Sequence, residues 1–550
     1  MKLQIVFAST REGREGFPIA EWVMERAQAQ GKFQPELIDL KAVNCQTGDT
    51  LASAEAQAEN RNHVLQALSQ VGTRLRSKLG ESLSSVQEFN QPFEEVTTSS
   101  LEALQAYTQG TMAQSTQESV AYYKRAVELD PNFAIAYAAL GDAYGYESGL
   151  RLKYLQKAYE LRDRVSPRER FSIESTYYGS VTGETEKAIR TYSEWIQSYP
   201  DDYVPHIRLA TAYKTLGYYE KALDQAREAV RILPGLESYN SLADCYLALN
   251  RMADAKAELR MLQAINPDVI FVRQLQYYLA FFEGDAATMK ELGKWGMGRP
   301  EYEPFVIMLQ SSAELYHGHL GKAQELAQRA QESAARSGAR EAVAIMRVVH
   351  APGEAAIGAT ASARRAANDA LAVDPKGNQD VESPAALAFA MLGEVVKARS
   401  LVDQMNKESP LDTMVQTYIL PTINASIGLT LNRPREAIDT LAITKSHELG
   451  KTSVPPTGVY PAYVRGLAYL KLGQGQQAAV EFQKILDNPG VVKLHLQGAL
   501  AHLQLGRAKA MAGDKAAART AYQDFLTLWK DADPDIPIYK QAKAEYAKLR

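Results

Sequence analysis

The side chains that could hold a metal, act as a nucleophile or cradle a phosphate are few in this chain and stand far apart. It has two cysteines, Cys45 and Cys245, which form neither a metal-ligand spacing nor a disulfide framework and suit a reducing compartment. Among eight histidines, His317 and His319 form the one close pair. Residues two apart on a helix point to different faces, and no nearby cysteine or carboxylate set completes a metal site. LYHGHLGKAQ therefore reads as a solvated turn between helices. His206 stands where a repeated pattern places an aromatic, so it reads as a packed core residue. The glycines of Gly473–Gly475 read as turn chemistry rather than a phosphate loop. Glu94, Glu95 and the scattered acids read as solvated helix faces. No nucleophile elbow, paired metal carboxylates or zinc spacing occurs in the sequence. The sequence predicts no catalytic residue, no metal and no cofactor.

The composition sets wider bounds. In 550 residues the hydrophobic share is 46% and the charged share 23%, as in ordinary soluble proteins. A formal net charge of −4 gives no bulk electrostatic case for nucleic acid or an anionic membrane. The 29 tyrosines fall mostly at repeat core positions, so they read as packing rather than as a stacking platform for single strands. The opening residues lack the long apolar region and cleavage site of a secretory leader. Thr413–Asn432 is uncharged, but its central Pro421 and many polar side chains exclude a membrane span. A cytoplasmic protein is the expectation.

What must position any site is a repeat. Pro131, Pro167, Pro200, Pro234, Pro267 and Pro300 recur at intervals of 33 to 36 residues, and Pro375 and Pro410 are 35 apart. Proline cannot occupy a helix interior, so a regular proline marks the passage from one helical unit to the next. Between prolines the same pattern returns. Leu209, Ala210 and Tyr213 share one face of a first helix that Gly217 ends, and Ala222, Ala226 and Ala229 share one face of a second. Two antiparallel helices cross closely only where one side chain is small, which accounts for Gly141, Ala210, Ala243 and Gly466. Tyrosines fill the space those residues leave, and one pair cannot bury its apolar face unless the units stack.

These residues resemble the tetratricopeptide repeat family, a helix–turn–helix with a Leu-Gly pair, spaced aromatics, two alanines and a closing proline. The likeness is strongest from Tyr122 to Tyr144, good through Pro267, weaker from Asp268 to Pro384, and recovers in the last hundred residues. It implies an all-α, right-handed superhelical solenoid of roughly eleven to thirteen repeats. Thr73–Asn90, Ser100–Gly110 and the C-terminal segment also resemble the repeat-bearing half of bacterial serine/threonine kinases and winged-helix regulators. No Gly-rich ATP loop, HRD-type loop or DFG triplet is present, so kinase activity does not carry over.

The first forty residues differ. A strand-length run at Lys2–Phe7, a helix from Pro18 to Gly31 and a second run ending at Leu40 form a βαβ start. This segment resembles the opening of the flavodoxin-like NAD(P)H-dependent FMN reductases. The resemblance implies phosphate or flavin binding by Ser9, Thr10, Arg11 and Arg14 at a helix N-terminus.

The expected organisation is a βαβ fragment at 1–43, a linker with helical segments at 44–95 and well-formed repeats at 96–300. Degenerate helical repeats follow at 301–410 and further repeats at 411–550. The function expected is a scaffold for a protein or peptide partner. The alternatives are a flavin-dependent reductase or the regulatory tail of a separately encoded kinase or transcription factor. By the family resemblance, polar first-helix residues Thr211, Lys214, Asn240 and Asp244 line the groove that holds the partner.

Overall fold

The computed structural model describes residues 3–8, 36–43, 50–58, 63–78, 98–113, 115–145, 148–336, 338–374, 378–452, 454–455 and 458–549. The chain divides into two compact units, Met1–Tyr177 and Tyr178–Arg550.

The first unit opens with a small sheet. Strand β1 (Leu3–Ala8) pairs in parallel with β2 (Glu36–Val43), and β3 (Thr50–Ala58) pairs antiparallel with the other edge of β2. Strands stand where both apolar runs predict them; the expected helix between them lies outside the described residues. Strand β3 falls in the segment expected to be a helical linker. Its sequence, TLASAEAQA, alternates with period two, and Ala52, Ala54, Ala56 and Ala58 are buried against Val64, Ala67, Val71 and Leu75 of helix α1 (Val64–Lys78). Alanine is a poor strand former, so the alternation is easy to miss. Helix pairs then begin at Leu101–Met112 with Thr116–Leu129, and Ala134–Ala143 with Ser148–Glu160. Ser100 and Ser115 cap the first two, each accepting from the backbone three residues on.

The second unit carries the helix Thr185–Ser198, nine helix pairs among the described residues, and a last helix, Pro537–Ala547. The pairing rests on the small-against-large rule read from sequence. A Cβ at Gly466 would lie 2.6 Å from the Phe482 ring, and one at Gly506 2.8 Å from Tyr522. Ala210, Ala222, Ala226 and Ala243 are fully buried where their helices cross. In the pair Ile270–Glu283 and Ala286–Gly296 the rule is inverted. There the glycine, Gly296, sits on the second helix and receives Val306 of the next first helix. This reversal is one reason the repeat pattern fades after Asp268.

In the second unit each turn inside a pair ends in a left-handed residue, a conformation that favours glycine and, after it, asparagine. From Gly183 through Gly217, Asn250 and Gly284 to Gly318, these residues recur every 33 or 34 positions. Through Gly358, Gly393, Asn432, Gly473 and Gly513 the interval lengthens to 35–41. Much of the added length lies in loops from a second helix to the following first helix, such as 448–459 and 487–496.

Those loops seat on the earlier turns. The Thr413 amide donates to Gly183 O (2.9 Å), the Lys451 amide to Thr215 O (3.0 Å) and the Asp533 amide to Gly318 O (3.0 Å). Asn250 donates to Asp487 O (2.8 Å) and accepts from the Gly490 amide (2.9 Å). Trp529, wholly buried, donates from its indole to Tyr316 O (3.0 Å). The late repeats therefore run alongside the early ones, loop edge against turn edge. No helix among the described residues is long and apolar enough to cross a membrane. The uncharged stretch 413–432 contributes Val415, Tyr418, Ile419 and Ile423 to the core instead.

Candidate functional site

The first helices from residue 351 onward close into a ring around a cavity of about 650 Å³. Its wall passes from the turn at Ile357 and Gly358 along Gln379–Leu392, Leu420–Thr430, Tyr460–Lys471 and Gln497–Met511. The last helix, Pro537–Ala547, returns to the start, where the Ile538 amide donates to Ile357 O (3.3 Å). Leu429, Val464, Leu467, Leu470 and Ile538 supply an apolar lining. The size and the apolar lining suit a ligand-binding cleft.

One polar network faces the cavity. Arg507 makes a two-pronged pair with Glu545, Nε to Oε2 and Nη2 to Oε1, both 2.9 Å. It also donates to Gln504 (3.4 Å) and Gln541 (3.3 Å), while Tyr522 donates to Glu545 (2.8 Å). Gln504 donates in turn to the hydroxyl of buried Tyr463 (3.4 Å). Burial pushes the Tyr463 phenol up to about 12, so it stays protonated at neutral pH. Lys471 donates to Leu429 O (2.7 Å), which leaves two ammonium protons for a guest.

A second polar centre lies where the late loops meet the early turns. Asp244 accepts from Lys214 (3.0 Å) and Lys493 (3.0 Å) and lies 3.4 Å from Lys451. Burial pushes the Asp244 carboxyl up, but the three ammonium groups outweigh it and hold the carboxyl well below its usual range. Burial likewise acts to lower Lys214, and Asp244 more than compensates. At Lys451 the attraction of Asp244 is overcome by Lys493, burial and Lys214 together, so its ammonium is depressed. Cys245 beside them is fully buried, and burial raises its thiol to about 12, far from a thiolate nucleophile.

A smaller cavity of about 130 Å³ adjoins this centre, lined by Tyr278, Ser312, His350, Lys493, His495 and Gln497 among others. His350 meets Ser311 through Nδ1 (3.4 Å) and Ser312 through Nε2 (3.0 Å). Burial first, and a neighbouring positive or titratable group second, lowers both imidazoles to about 4; the neighbours are His495 for His350 and Lys493 for His495.

The four groove residues expected from sequence are distributed unevenly. Lys214 and Asp244 meet each other and are engaged by the chain's own Lys451 and Lys493. Thr211 is exposed and donates back to Ile207 O (3.0 Å), and Asn240 is partly exposed. Ser9, Thr10, Arg11 and Arg14 lie outside the described residues. His206 packs in the core, 2.8 Å from Gln225 Oε1. His317 and His319 flank a turn, as read, but that turn packs under Trp529 and Ala532, and His319 pairs with Glu314 (2.6 Å). Among the described residues no three His, Cys, Asp or Glu side chains gather as a metal site would need. Sequence reasoning did not single out Tyr463, Gln504, Arg507 or Glu545. Its own rule, polar positions on first helices, points to Gln504 and Arg507 when extended to the late repeats.

Comparison with known proteins bears on the repeats. The tetratricopeptide repeat family model matches residues 205–234 and 236–269. No curated protein sequence matches the chain. Among solved structures, yeast Tom70 is similar at 14% identity over 76% of this chain and 96% of its own, with a TM-score of 0.32. The P58(IPK) TPR domain aligns at 13% identity over 70% and 98%, with a TM-score of 0.21. A tetratricopeptide repeat protein from Parabacteroides merdae aligns at 12% identity over 62% and 98%, also with a TM-score of 0.21. None of these findings supports the kinase, winged-helix or flavin-reductase resemblances. The chain is an all-α solenoid that carries tetratricopeptide repeats.

Proposed function

We propose that the protein is an interaction scaffold that holds a segment of a protein partner in the ring of late first helices. The observation that carries this is the cavity of about 650 Å³, apolar along Leu429, Val464, Leu467 and Leu470, with one network of directed polar groups. Arg507 and Glu545 neutralise one another, whereas Lys471 has only a carbonyl partner among the described residues. The guest this favours has apolar side chains and a carboxylate within reach of Lys471. Catalysis has no comparable support, because Arg507 and Glu545 are locked in an ion pair and burial moves the Tyr463 phenol further from ionising. A role in bacterial signalling rests on the resemblance of Thr73–Asn90, Ser100–Gly110 and the C-terminal segment alone.

The test is selection from a displayed peptide library with the full chain. Enriched peptides are expected to combine apolar anchors with an acid and to lose affinity at least tenfold against Leu467→Arg and Lys471→Ala. Enrichment of nothing, or peptides that bind both variants as well as the parent, would overturn the reading.

A further inference from the structure

We propose that the small cavity between the early turns and the late loops is a binding site for a small oxyanion of the carboxylate or phosphate class. Three observations converge on it. The first is an imbalance of charge: Lys214, Lys451 and Lys493 surround a single carboxylate, Asp244, at 3.0–3.4 Å. The side chains of Lys214 and Lys493 retain only 10% and 15% of their exposure. Lys451 is half exposed, so the enclosed part of the cluster carries one positive charge in excess; Lys493 lines the cavity, where enclosure strengthens its pull on an anion.

The second is an unused donor. Gln497 is 1% exposed and lines the cavity, yet its Nε2 makes no hydrogen bond of acceptable geometry, although it lies near Tyr460. A buried amide donor held only by a poorly aligned contact with Tyr460 leaves room for a better-placed acceptor in the cavity. Ser312 and the imidazoles of His350 and His495 stand on the same wall. The donors present are those an oxyanion uses: an ammonium, an amide, a hydroxyl and neutral imidazoles.

The third is strain. Lys493 holds φ +51° and ψ −120°, a conformation that residues with a Cβ rarely adopt. Such strain persists where surroundings over-determine it, and here it keeps the Lys493 ammonium between Asp244 and the cavity wall. The Tyr278 ring, 4.9 Å from that ammonium, completes its position. Because Ser312 comes from an early first helix, Glu303–Tyr316, and Lys493 from a late loop, the anion would bridge the two rows.

The experiment uses the full chain, inorganic phosphate and acetate as probes, and chloride at matched ionic strength as reference. Isothermal titration is expected to show one saturable site for at least one probe. Lys493→Gly relieves the backbone strain while removing the ammonium, so it is expected to fold and to bind at least tenfold more weakly. Gln497→Met, which keeps the side-chain volume, is expected to weaken binding severalfold. Phosphate binding alone would identify a phosphate-bearing ligand, and binding of both probes a general oxyanion site. Absence of saturable binding by either probe up to tens of millimolar would overturn the proposal. So would unchanged affinity in a folded Lys493→Gly variant.

Discussion

The inner surface of the early repeats and that of the late repeats are built from the same elements and meet different fates. At Tyr203–Ile265 the polar first-helix residues Lys214 and Asp244 are taken up by Lys451 and Lys493 of the chain itself. At Tyr460–Ala547 the corresponding surface encloses an open cavity whose charges are settled locally, Arg507 on Glu545. A repeat pattern thus names candidate groove residues by type without saying whether the chain itself already engages them. What decides is contact between segments more than 200 positions apart, such as Thr413 with Gly183 and Lys451 with Thr215.

Several substitutions would break or sharpen that contrast. The largest effect is expected at Asp244→Ala, which leaves three ammonium groups close together without their carboxylate. Removing one partner of a buried ion cluster costs about 3–5 kcal/mol. Chemical denaturation should show that loss, and exchange at 449–451 and 487–493 should rise with it. Truncating the open groove's Leu467 to Ala, which is only partly buried, should cost far less by the same assay.

Acid should separate the regions next. His350 and His495 are held at about 4 against an ordinary 6.5. The folded state binds their protons less well than the unfolded chain, so this stability is full above pH 6.5. It drains as pH falls toward 4, by up to about 3 kcal/mol for each imidazole. Denaturant titrations between pH 7 and 4 should show this slope, flattened in His350→Gln and His495→Gln.

Glu382 runs the other way. Burial, then Glu408 and Asp374, raise its carboxyl to about 7, and its Oε2 is buried without a hydrogen bond. The folded state holds the proton more tightly, so stability from this group is full below pH 4.5 and falls as pH rises through 7. Glu382→Gln is expected to stabilise the protein at pH 8 by about 1–2 kcal/mol and to be near neutral at pH 4.5. Equal effects at both values would contradict this assignment.

The smallest change is at Gly466→Ala. The new methyl would press on the Phe482 ring, a cost of about 1–3 kcal/mol that the gain in helix propensity, about 1 kcal/mol, only partly offsets. A melting temperature at or above the parent's would show that this crossing has slack.

The solenoid was legible because its determinants are local. Pro200, Pro234 and Pro267, the left-handed turn at Gly217 and the alanines of Tyr219–Ile232 act within one repeat. Strand β3 was missed because alanine weakens the strand signal of an alternating segment. The middle repeats were blurred where glycine moves to the second helix, as at Gly296, and where the period stretches beyond Gly318. Of the candidate groove set, Lys214 and Asp244 stand together and are engaged by Lys451 and Lys493, partners that the repeat pattern does not point to. Lys451 and Lys493 reach them through the superhelical path of the whole unit, which no single repeat encodes. Arg507 and Glu545 were within reach of the same first-helix rule, since both belong to the last repeats.

The most direct test of the closure of late loops onto early turns is amide hydrogen exchange, resolved to single residues, on the full chain. The amides of Thr413, Lys451, Gly490 and Asp533 lie in loops or first helical turns, without an acceptor inside a helix, yet each donates to an early turn. Such cross-row bonds give these amides protection close to that of core helices, and Asp244→Ala should release Lys451 and Gly490 first. Exchange of all four at the rate of free loops in the parent protein would contradict the account.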